Sequence, residues 1–200
     1  QTYDGVTTVS EGTLIATSDF SLGSTVGNTI VADGATLDLQ GVTTSEAITI
    51  SGTGVNGAGA LRNSNQYARL NGRVTLAADS TIGSGLWAME LRGGIDGNHD
   101  LTIDAASIVD IMSDLAIDGD LTINGTGIVV LERDNSFTGN VTVNGGRLAS
   151  GADDGSVYNT IGDTAALTLG TGTSWRLAQS GETIGSLSGT GDVHIDGFLT

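Results

Sequence analysis

The sequence predicts an all-β protein that winds into a parallel β-helix, in which the short strands of successive coils stack on one another. Three observations lead to this fold class. A strand-like pattern recurs at a spacing of twenty residues, the 200 residues include 32 Gly but no Pro, and aromatic residues make up only 4% of the chain. Strand-sized units that repeat at a fixed period are typical of solenoids.

The twenty-residue repeat defines the basic strand. Residues 119–125 have the sequence GDLTING, residues 139–145 have GNVTVNG and residues 191–197 have GDVHIDG, while residues 100–104 (DLTID) match the same pattern. Apolar and polar side chains alternate in each unit, which predicts a strand with one buried face. We expect the two apolar side chains of each unit to point inward and the central Thr or His to point outward.

A longer unit occurs twice. Residues 2–16 align without gaps on residues 136–150, and the likeness continues beyond both segments. We therefore expect one β-helix segment over the whole chain, with long repeats at 2–54 and 125–191 around degenerate coils at 55–124.

The remaining pattern favours strands over helices, and no stretch carries a convincing helical stripe. Because nearly every strand of a β-helix pairs on both sides, a residue without an N–H has no place there, and the absence of Pro fits this demand. At roughly 20–25 residues per coil and about 4.8 Å per strand, the chain would form a rod about 40–50 Å long. The alternative is a β-sandwich, which does not require self-similar sequence at a fixed period.

Composition excludes several classes of function. Seven basic residues against 23 acidic residues give a formal charge of -16, which disfavours binding to nucleic acid. The chain has no Cys, so disulfide frameworks and zinc-thiolate sites are absent. No apolar run approaches the length of a membrane span, so we expect no membrane insertion by this segment.

One stretch resembles a known family. Residues 125–131 (GTGIVVL), 135–139 (NSFTG) and 141–148 (VTVNGGRL) are similar to the autotransporter-associated β-strand repeat, whose pattern is roughly G-T-G-x-L-x-L-x-x-x-N-[ST]-[YF]-T-G-x-T-x-V-x-x-G-x-L. Residues 2–14 carry the second half of another copy. Residues 182–193 (ETIGSLSGTGDV) are similar to the segment that commonly follows the repeat.

The resemblance implies a right-handed parallel β-helix in the passenger region of a bacterial autotransporter or large surface adhesin. It implies a secreted or cell-surface location and a role as a stalk or adhesive surface, and it carries no catalytic residues. The chain begins in the middle of a repeat, so we expect a fragment of a longer solenoid. Unpaired strand edges at its ends would then promote oligomers that depend on concentration.

Catalytic and metal-binding patterns are weak. Asp192, His194 and Asp196 alternate along one strand, about 6.8 Å apart on one face, and such a flat row does not converge on one ion. Asp104 would stack on Asn124 and the corresponding Asn144 of the next unit, which gives an amide ladder and no acid/base pair. We expect no enzyme activity, no metal and no cofactor.

Calcium is the one cofactor that the sequence leaves open as an alternative to having none. Residues 93–101 (GGIDGNHDL) are faintly similar to the glycine-aspartate nonapeptide that binds calcium in β-rolls, although the motif occurs once. Asp153 and Asp154 offer another oxygen pair in a turn. Loose screening of the negative charge by divalent ions is the simpler expectation.

Aromatic side chains are the best candidates for surface contact, because Trp and Tyr commonly anchor sugars and partner proteins. We predict contact at Tyr67 and Trp87, and at Tyr158 with Asp153 and Asp154 in an inserted loop. Trp175 aligns with the inward position 37 of the other long repeat, so we predict it in the core.

The expected function is a non-enzymatic structural or adhesive segment, with a role in spacing, adhesion, aggregation or biofilm formation. Its expected partners are glycans or proteins of host or bacterial surfaces, or further copies of itself. The alternatives are a β-helix that binds or degrades carbohydrate and a solenoid stiffened by calcium.

Overall fold

The computed structural model of the chain describes residues 3–151, 156, 158–178 and 181–199. These residues form short β-strands joined by tight corners, and every strand pair among them is parallel. The described ranges contain no α-helix and only one 3-10 turn, Val55–Gly57. No helix in those ranges has the length and apolar character needed to cross a membrane.

The strands follow one another along the chain. The first nine are β1 (Thr7–Val9), β2 (Thr13–Ala16), β3 (Thr29–Val31), β4 (Thr36–Leu39), β5 (Thr43–Thr44), β6 (Ile48–Gly52), β7 (Leu61–Asn63), β8 (Ala68–Leu70) and β9 (Val74–Ser84). The next eight are β10 (Met89–Leu91), β11 (Ile95–Gly97), β12 (Leu101–Ala105), β13 (Ile108–Ile111), β14 (Leu115–Ile117), β15 (Leu121–Gly125), β16 (Ile128–Leu131) and β17 (Val141–Val143). The last seven are β18 (Arg147–Ser150), β19 (Ala166–Leu169), β20 (Ser174–Leu177), β21 (Gly181–Glu182), β22 (Ser186–Gly189), β23 (Asp192–Ile195) and β24 (Phe198–Leu199).

All strands except β21 and β24, which pair with each other, stack on three faces of one solenoid. Face A contains β1, β3, β6, the first part of β9, β11 and β14. Face B contains β2, β4, β7, the second part of β9, β12, β15, β17, β19 and β22. Face C contains β5, β8, β10, β13, β16, β18, β20 and β23. The nine described strands of face B, at about 4.8 Å each, span about 40 Å, so the structure is the parallel β-helix that the sequence predicts.

Stacked apolar side chains fill the interior. On face B, Leu101 stacks on Leu121, which is followed by Val141 and Leu167, and all four are fully buried. Burial of such columns is the main favourable contribution to folding. The prediction for Trp175 is confirmed, because its side chain is fully buried beside its register partner Leu148 and its indole Nε1 donates a hydrogen bond to Ser150 Oγ at 2.9 Å.

The register of the twenty-residue repeat is as predicted. Thr102, Thr122 and Thr142 are directly paired on face B, and the column continues to Thr81 on one side and Thr168 on the other. The predicted amide ladder also forms, because Asn144 Nδ2 donates a hydrogen bond to Asn124 Oδ1 at 3.2 Å.

The repeats do not all return to the same face. The unit at 191–197 contains β23, which lies on face C, and not on face B with the units at 119–125 and 139–145. In the long repeat, Val9 lies on face A, whereas the matching Val143 lies on face B. The same strand–corner–strand sequence therefore occurs at different corners of the solenoid. Strands of the second long repeat lie one face away, around the axis, from the matching strands of the first.

Candidate functional site

On face C, the outward side chains differ in charge and size from one strand to the next. Its central outward column follows from the strand register and consists of Arg69, Glu90, Asp110, Val130, Ala149, Arg176 and His194. We call this row the central column of face C. It lies next to exposed aromatic side chains at one end and to a depression lined by apolar and charged side chains in the middle, so it brings contact-forming groups together on one surface.

The aromatic corner, defined by Tyr67, Leu86 and Trp87, lies where face B turns into face C. Tyr67 is 40% exposed, Trp87 is 52% exposed and Leu86 is 85% exposed. The two aromatic rings belong to neighbouring coils, because Ala68 pairs with Met89. The structure thus brings together two of the predicted contact residues at one corner.

A buried amide fixes the geometry of this corner. Asn63 is fully buried, and its Nδ2 donates hydrogen bonds to the backbone oxygens of Gln66 at 2.6 Å and Ala88 at 3.0 Å. Gln66 adopts a positive φ of 60°, which is uncommon for a residue with a side chain and turns the chain sharply. A single side chain in the interior therefore ties together the two turns that present the aromatic rings.

Charged groups extend the corner along face C. The guanidinium of Arg69 lies 5.4 Å from the centre of the Tyr67 ring, and its Nη2 donates to the Tyr67 hydroxyl at 3.1 Å. Glu90 Oε2 accepts hydrogen bonds from Arg69 Nε at 2.8 Å and from Arg92 Nε at 2.7 Å. These contacts hold the polar groups beside the rings in fixed positions.

Asp110 is the least compensated charge of the central column. Burial raises the pKa of its carboxyl to about 7, with further contributions from the carboxylates of Glu132 and Glu90, while Arg92 opposes the shift. Its Oδ1 is buried and has no hydrogen-bond partner among the described residues. Carboxyl groups with a raised pKa are common at functional sites, although structural clusters also produce them.

A depression of about 240 Å³ lies on face C, over β13, β16, β18 and β20. Its apolar lining comes from Ile108, Ile128, Val130 and Ala149. Glu132, Arg147 and Arg176 border it with charge, and Ile108 is 38% exposed. The depression offers an apolar contact between groups of opposite sign.

Tyr158 lies away from the aromatic corner, with a half-buried ring that stacks against an arginine. The guanidinium of Arg133 is 4.9 Å from the ring centre, and its Nη1 donates a hydrogen bond to the Tyr158 hydroxyl. The structure therefore separates Tyr158 from Tyr67 and Trp87. The predicted contacts at Asp153 and Asp154 lie outside the described residues.

The residues that suggested a cation site are engaged in other contacts. Asp96 accepts a hydrogen bond from Arg73 Nη1 at 3.0 Å, and Asp100 Oδ1 accepts the backbone N–H of Asp120 at 2.8 Å. Asp196 accepts from Arg176 Nε at 3.1 Å, with His194 exposed beside it. Within the described part of the chain, no group of three His, Cys, Asp or Glu residues is arranged to hold a metal ion.

Sequence reasoning missed the acidic group of Glu90, Asp110 and Glu132. Two of these residues, Glu90 and Asp110, are twenty positions apart, which is the period of the repeat, and this spacing was the signal in the sequence that could have found them.

Comparison of the chain with protein-family models, with curated proteins and with solved structures gives no match in any of the three.

Proposed function

We propose that the chain is a non-enzymatic segment of a secreted or surface-displayed bacterial protein, in which it acts as a stiff spacer and presents an adhesive surface. The observation that carries the proposal is the unbroken stack of strands on face B, from β2 to β22, over a filled apolar interior. The bacterial surface location is supported by the resemblance of residues 125–148 to the autotransporter-associated repeat.

A stack of this kind suits a mechanical role. Each coil is joined to the next by backbone hydrogen bonds on several faces, and side chains reinforce the joint. Bending the rod would separate these bonds together with the apolar columns behind them. The parallel ladder thus supplies stiffness without a large domain core.

The aromatic corner is the proposed point of adhesion. Trp87 and Tyr67 present exposed rings that the apolar side of a sugar or a partner's side chain can contact. Arg69 and Glu90 lie beside them and can form hydrogen bonds with hydroxyl groups. The proposed partners are glycans or proteins of host or bacterial surfaces.

Binding of the whole chain to a glycan panel and to intact cells tests this role. Trp87→Ala is expected to reduce binding at least tenfold, because aromatic anchors dominate the energy of many contacts. Phe20→Ala is the matched control, since Phe20 is 68% exposed on a different part of the surface. Equal binding by both variants and the parent chain would refute adhesion at the aromatic corner.

A β-helix that acts on carbohydrate is the second candidate, because a carboxyl with a pKa of about 7 is suited to general acid catalysis. In that role Asp110 would donate a proton, and Glu132 or Glu90 would provide the second carboxylate. Acidic and neutral polysaccharides incubated with the chain would then release reducing or unsaturated ends, and Asp110→Asn would abolish the release. Absence of any product from the parent chain would favour the structural role.

A further inference from the structure

Arg147 differs from the other arginines of this acidic chain. All seven arginines lie within the described residues, and a sixth contacts Tyr158 while five form ion pairs with carboxylates. The five are Arg62, Arg69, Arg73, Arg92 and Arg176. The Arg147 side chain makes no hydrogen bond or ion pair with the described residues, and its Nε is buried without a partner among them. Its positive charge is therefore uncompensated in a chain of charge -16.

The surroundings of this arginine are apolar. Arg147 is the first residue of β18, points outward, and has Ile128 of β16 as its register neighbour and Ile108 of β13 one strand further. The small side chain of Ala149 leaves room for the depression of about 240 Å³ beside it. The matching position in the other long repeat is Thr13, so the strand itself does not require an arginine there.

We propose that this depression binds a small aliphatic carboxylate. The carboxylate lies against the guanidinium of Arg147, and the apolar chain lies along Ile128 and Ile108. A guanidinium binds a carboxylate through two parallel hydrogen bonds, and the Nη1 and Nη2 groups of Arg147 reach the surface and are the available donors. From Arg147 to Ile108 the column covers two strand spacings, about 10 Å, which suits an extended short chain.

The volume of the depression limits the size of the ligand. At about 30 Å³ for each water-sized group, 240 Å³ holds about eight non-hydrogen atoms. A carboxylate of about six carbons, such as hexanoate, has this size. Each methylene that it buries against the isoleucines adds to the affinity, whereas a much longer chain would extend into solvent. A ligand this small binds weakly, with a Kd in the millimolar range.

The other charged groups of the depression favour a ligand with a single negative charge. Arg176 Nε already donates to Asp196 Oδ2 at 3.1 Å, so Arg176 adds positive potential but is not the primary partner. Glu132 follows β16, at the end of the strands opposite to Arg147, and its carboxylate borders the depression. It would repel a second negative charge at the far end of the ligand. The site therefore suits a monocarboxylate better than a dicarboxylate.

This inference goes beyond the adhesive role and does not depend on it. The aromatic corner lies at β8 and β10, whereas the depression lies over β13, β16, β18 and β20. Trp87→Ala, which tests adhesion, should therefore bind hexanoate as the parent chain does. Failure of one proposal leaves the other standing.

Titration of the whole, isotopically labelled chain with hexanoate at neutral pH, followed by amide-detected NMR, tests the site. Saturable shifts are expected for amides of β16 and β18. Acetate has a carboxylate without the apolar chain, and hexanamide has the chain without the charge. Each should bind at least tenfold more weakly than hexanoate, because each lacks one of the two contacts.

Two variants separate the contributions of charge and shape. Arg147→Gln should lower the affinity for hexanoate at least tenfold, because it removes the charged donor. Ala149→Leu should lower it by a similar factor, because the larger side chain fills the depression while every charge remains. Arg73→Gln is the matched control, since it removes an arginine that pairs with Asp96 outside the depression. It should leave the affinity within about twofold of the parent value.

Far-UV circular dichroism and melting verify that each variant is folded. The proposal is overturned if hexanoate gives no saturable shifts in β16 and β18, or if Arg147→Gln or Ala149→Leu binds hexanoate as the parent does. Equal binding of acetate would show only an anion on a basic surface, and equal binding of hexanamide would show an apolar cleft without charge recognition. Either of these results also overturns it.

Discussion

The carboxylate of Asp120 accepts the backbone N–H of Asn140, which lies one coil further along, at an Oδ1–N distance of 2.7 Å. The same contact joins Asp79 to the N–H of Asp100 at 3.1 Å and Asp100 to the N–H of Asp120 at 2.8 Å. Asn140 in turn accepts the N–H of Ala166 at 3.0 Å. Four successive joints between coils thus use one side-chain ladder, and acidic residues that contribute to the net charge are part of the architecture.

Removing one acceptor of this ladder should destabilise the fold, whereas an amide should not. Asp120→Ala leaves the N–H of Asn140 without its partner and is expected to cost about 1 kcal/mol of unfolding free energy. Asp120→Asn keeps the accepting oxygen and removes repulsion from Asp100, so it should be neutral or stabilising. Urea denaturation followed by circular dichroism measures both. A loss of stability with Asn as large as that with Ala would show that the charge is what matters.

Asp110 should make the protein less stable as the pH rises. Its pKa is raised in the folded chain from 3.8 to about 7, so between about pH 4 and 7 the folded state binds the proton that the unfolded chain has released. Stability therefore falls through this window and levels off above it. Asp110→Asn should be more stable than the parent by about 2 kcal/mol at pH 8, after allowance for partial screening by solvent, and equal to it near pH 4.

The comparison with Asp110→Asn is made over pH 4–8 by urea denaturation. Glu46 and Glu182 also have pKa values raised by burial, and they contribute a loss of stability in the same direction. Both remain in the variant, so the difference between the two proteins isolates Asp110. A difference that does not change with pH would contradict the raised pKa.

Trp175 should be the most costly single side chain to remove from face C. Its fully buried indole packs beside Leu148 and Val193, so Trp175→Ala is expected to cost about 3–5 kcal/mol. Trp175→Phe keeps most of the volume but leaves the buried Ser150 hydroxyl without the indole donor, and should cost less. Trp87→Ala, at the exposed aromatic corner, should change stability by less than about 0.5 kcal/mol. Thermal melting followed by circular dichroism ranks the three variants.

Comparison of two glycines distinguishes the cost of backbone strain from the cost of a steric clash between coils. Gly125 and Gly172 have φ values of +85° and +76°, so an added Cβ is strained at both positions. At Gly125 the new atom would lie 2.2 Å from the backbone oxygen of Ala105 in the preceding coil, whereas at Gly172 nothing lies within 4 Å. Gly125→Ala is therefore expected to cost about 2 kcal/mol more than Gly172→Ala in urea denaturation. Equal costs would mean that the coils adjust without penalty.

Calcium and magnesium should affect the chain equally. Both screen a charge of -16, and at matched ionic strength we expect the same small rise in Tm from each. A specific site would add a stabilisation that grows with the logarithm of the calcium concentration. Thermal melting of the whole chain, which includes Asp153 and Asp154, distinguishes screening from specific binding. A rise in Tm produced by calcium alone would support the calcium-stiffened solenoid.

The sequence predicts the local strands well, because alternation and spacing act over a few residues. Thr102, Thr122 and Thr142 fall in one column because three successive units have equal length. The burial of Trp175 followed from its alignment with Leu37, and both side chains are fully buried. What such patterns establish is which side of a strand faces inward.

The arrangement around the axis was not predictable in the same way. A residue's face depends on the summed length of all preceding corners, so the similar strands that contain Val9 and Val143 occupy different faces. The contact of Arg133 with Tyr158 likewise joins residues 25 positions apart across a corner of irregular length. The residues of the central column of face C come together because of these unequal corners. No short sequence pattern therefore predicts the column.

The side-chain ladder of Asp79, Asp100, Asp120 and Asn140 gives the stack a chemical polarity. In each joint the earlier coil supplies the oxygen and the later coil supplies the N–H. A finished coil therefore offers a template of acceptors on which the next coil can be laid down. The two ends of the ladder therefore differ chemically, because a coil added at the later end meets an oxygen acceptor and a coil added at the earlier end has to supply one.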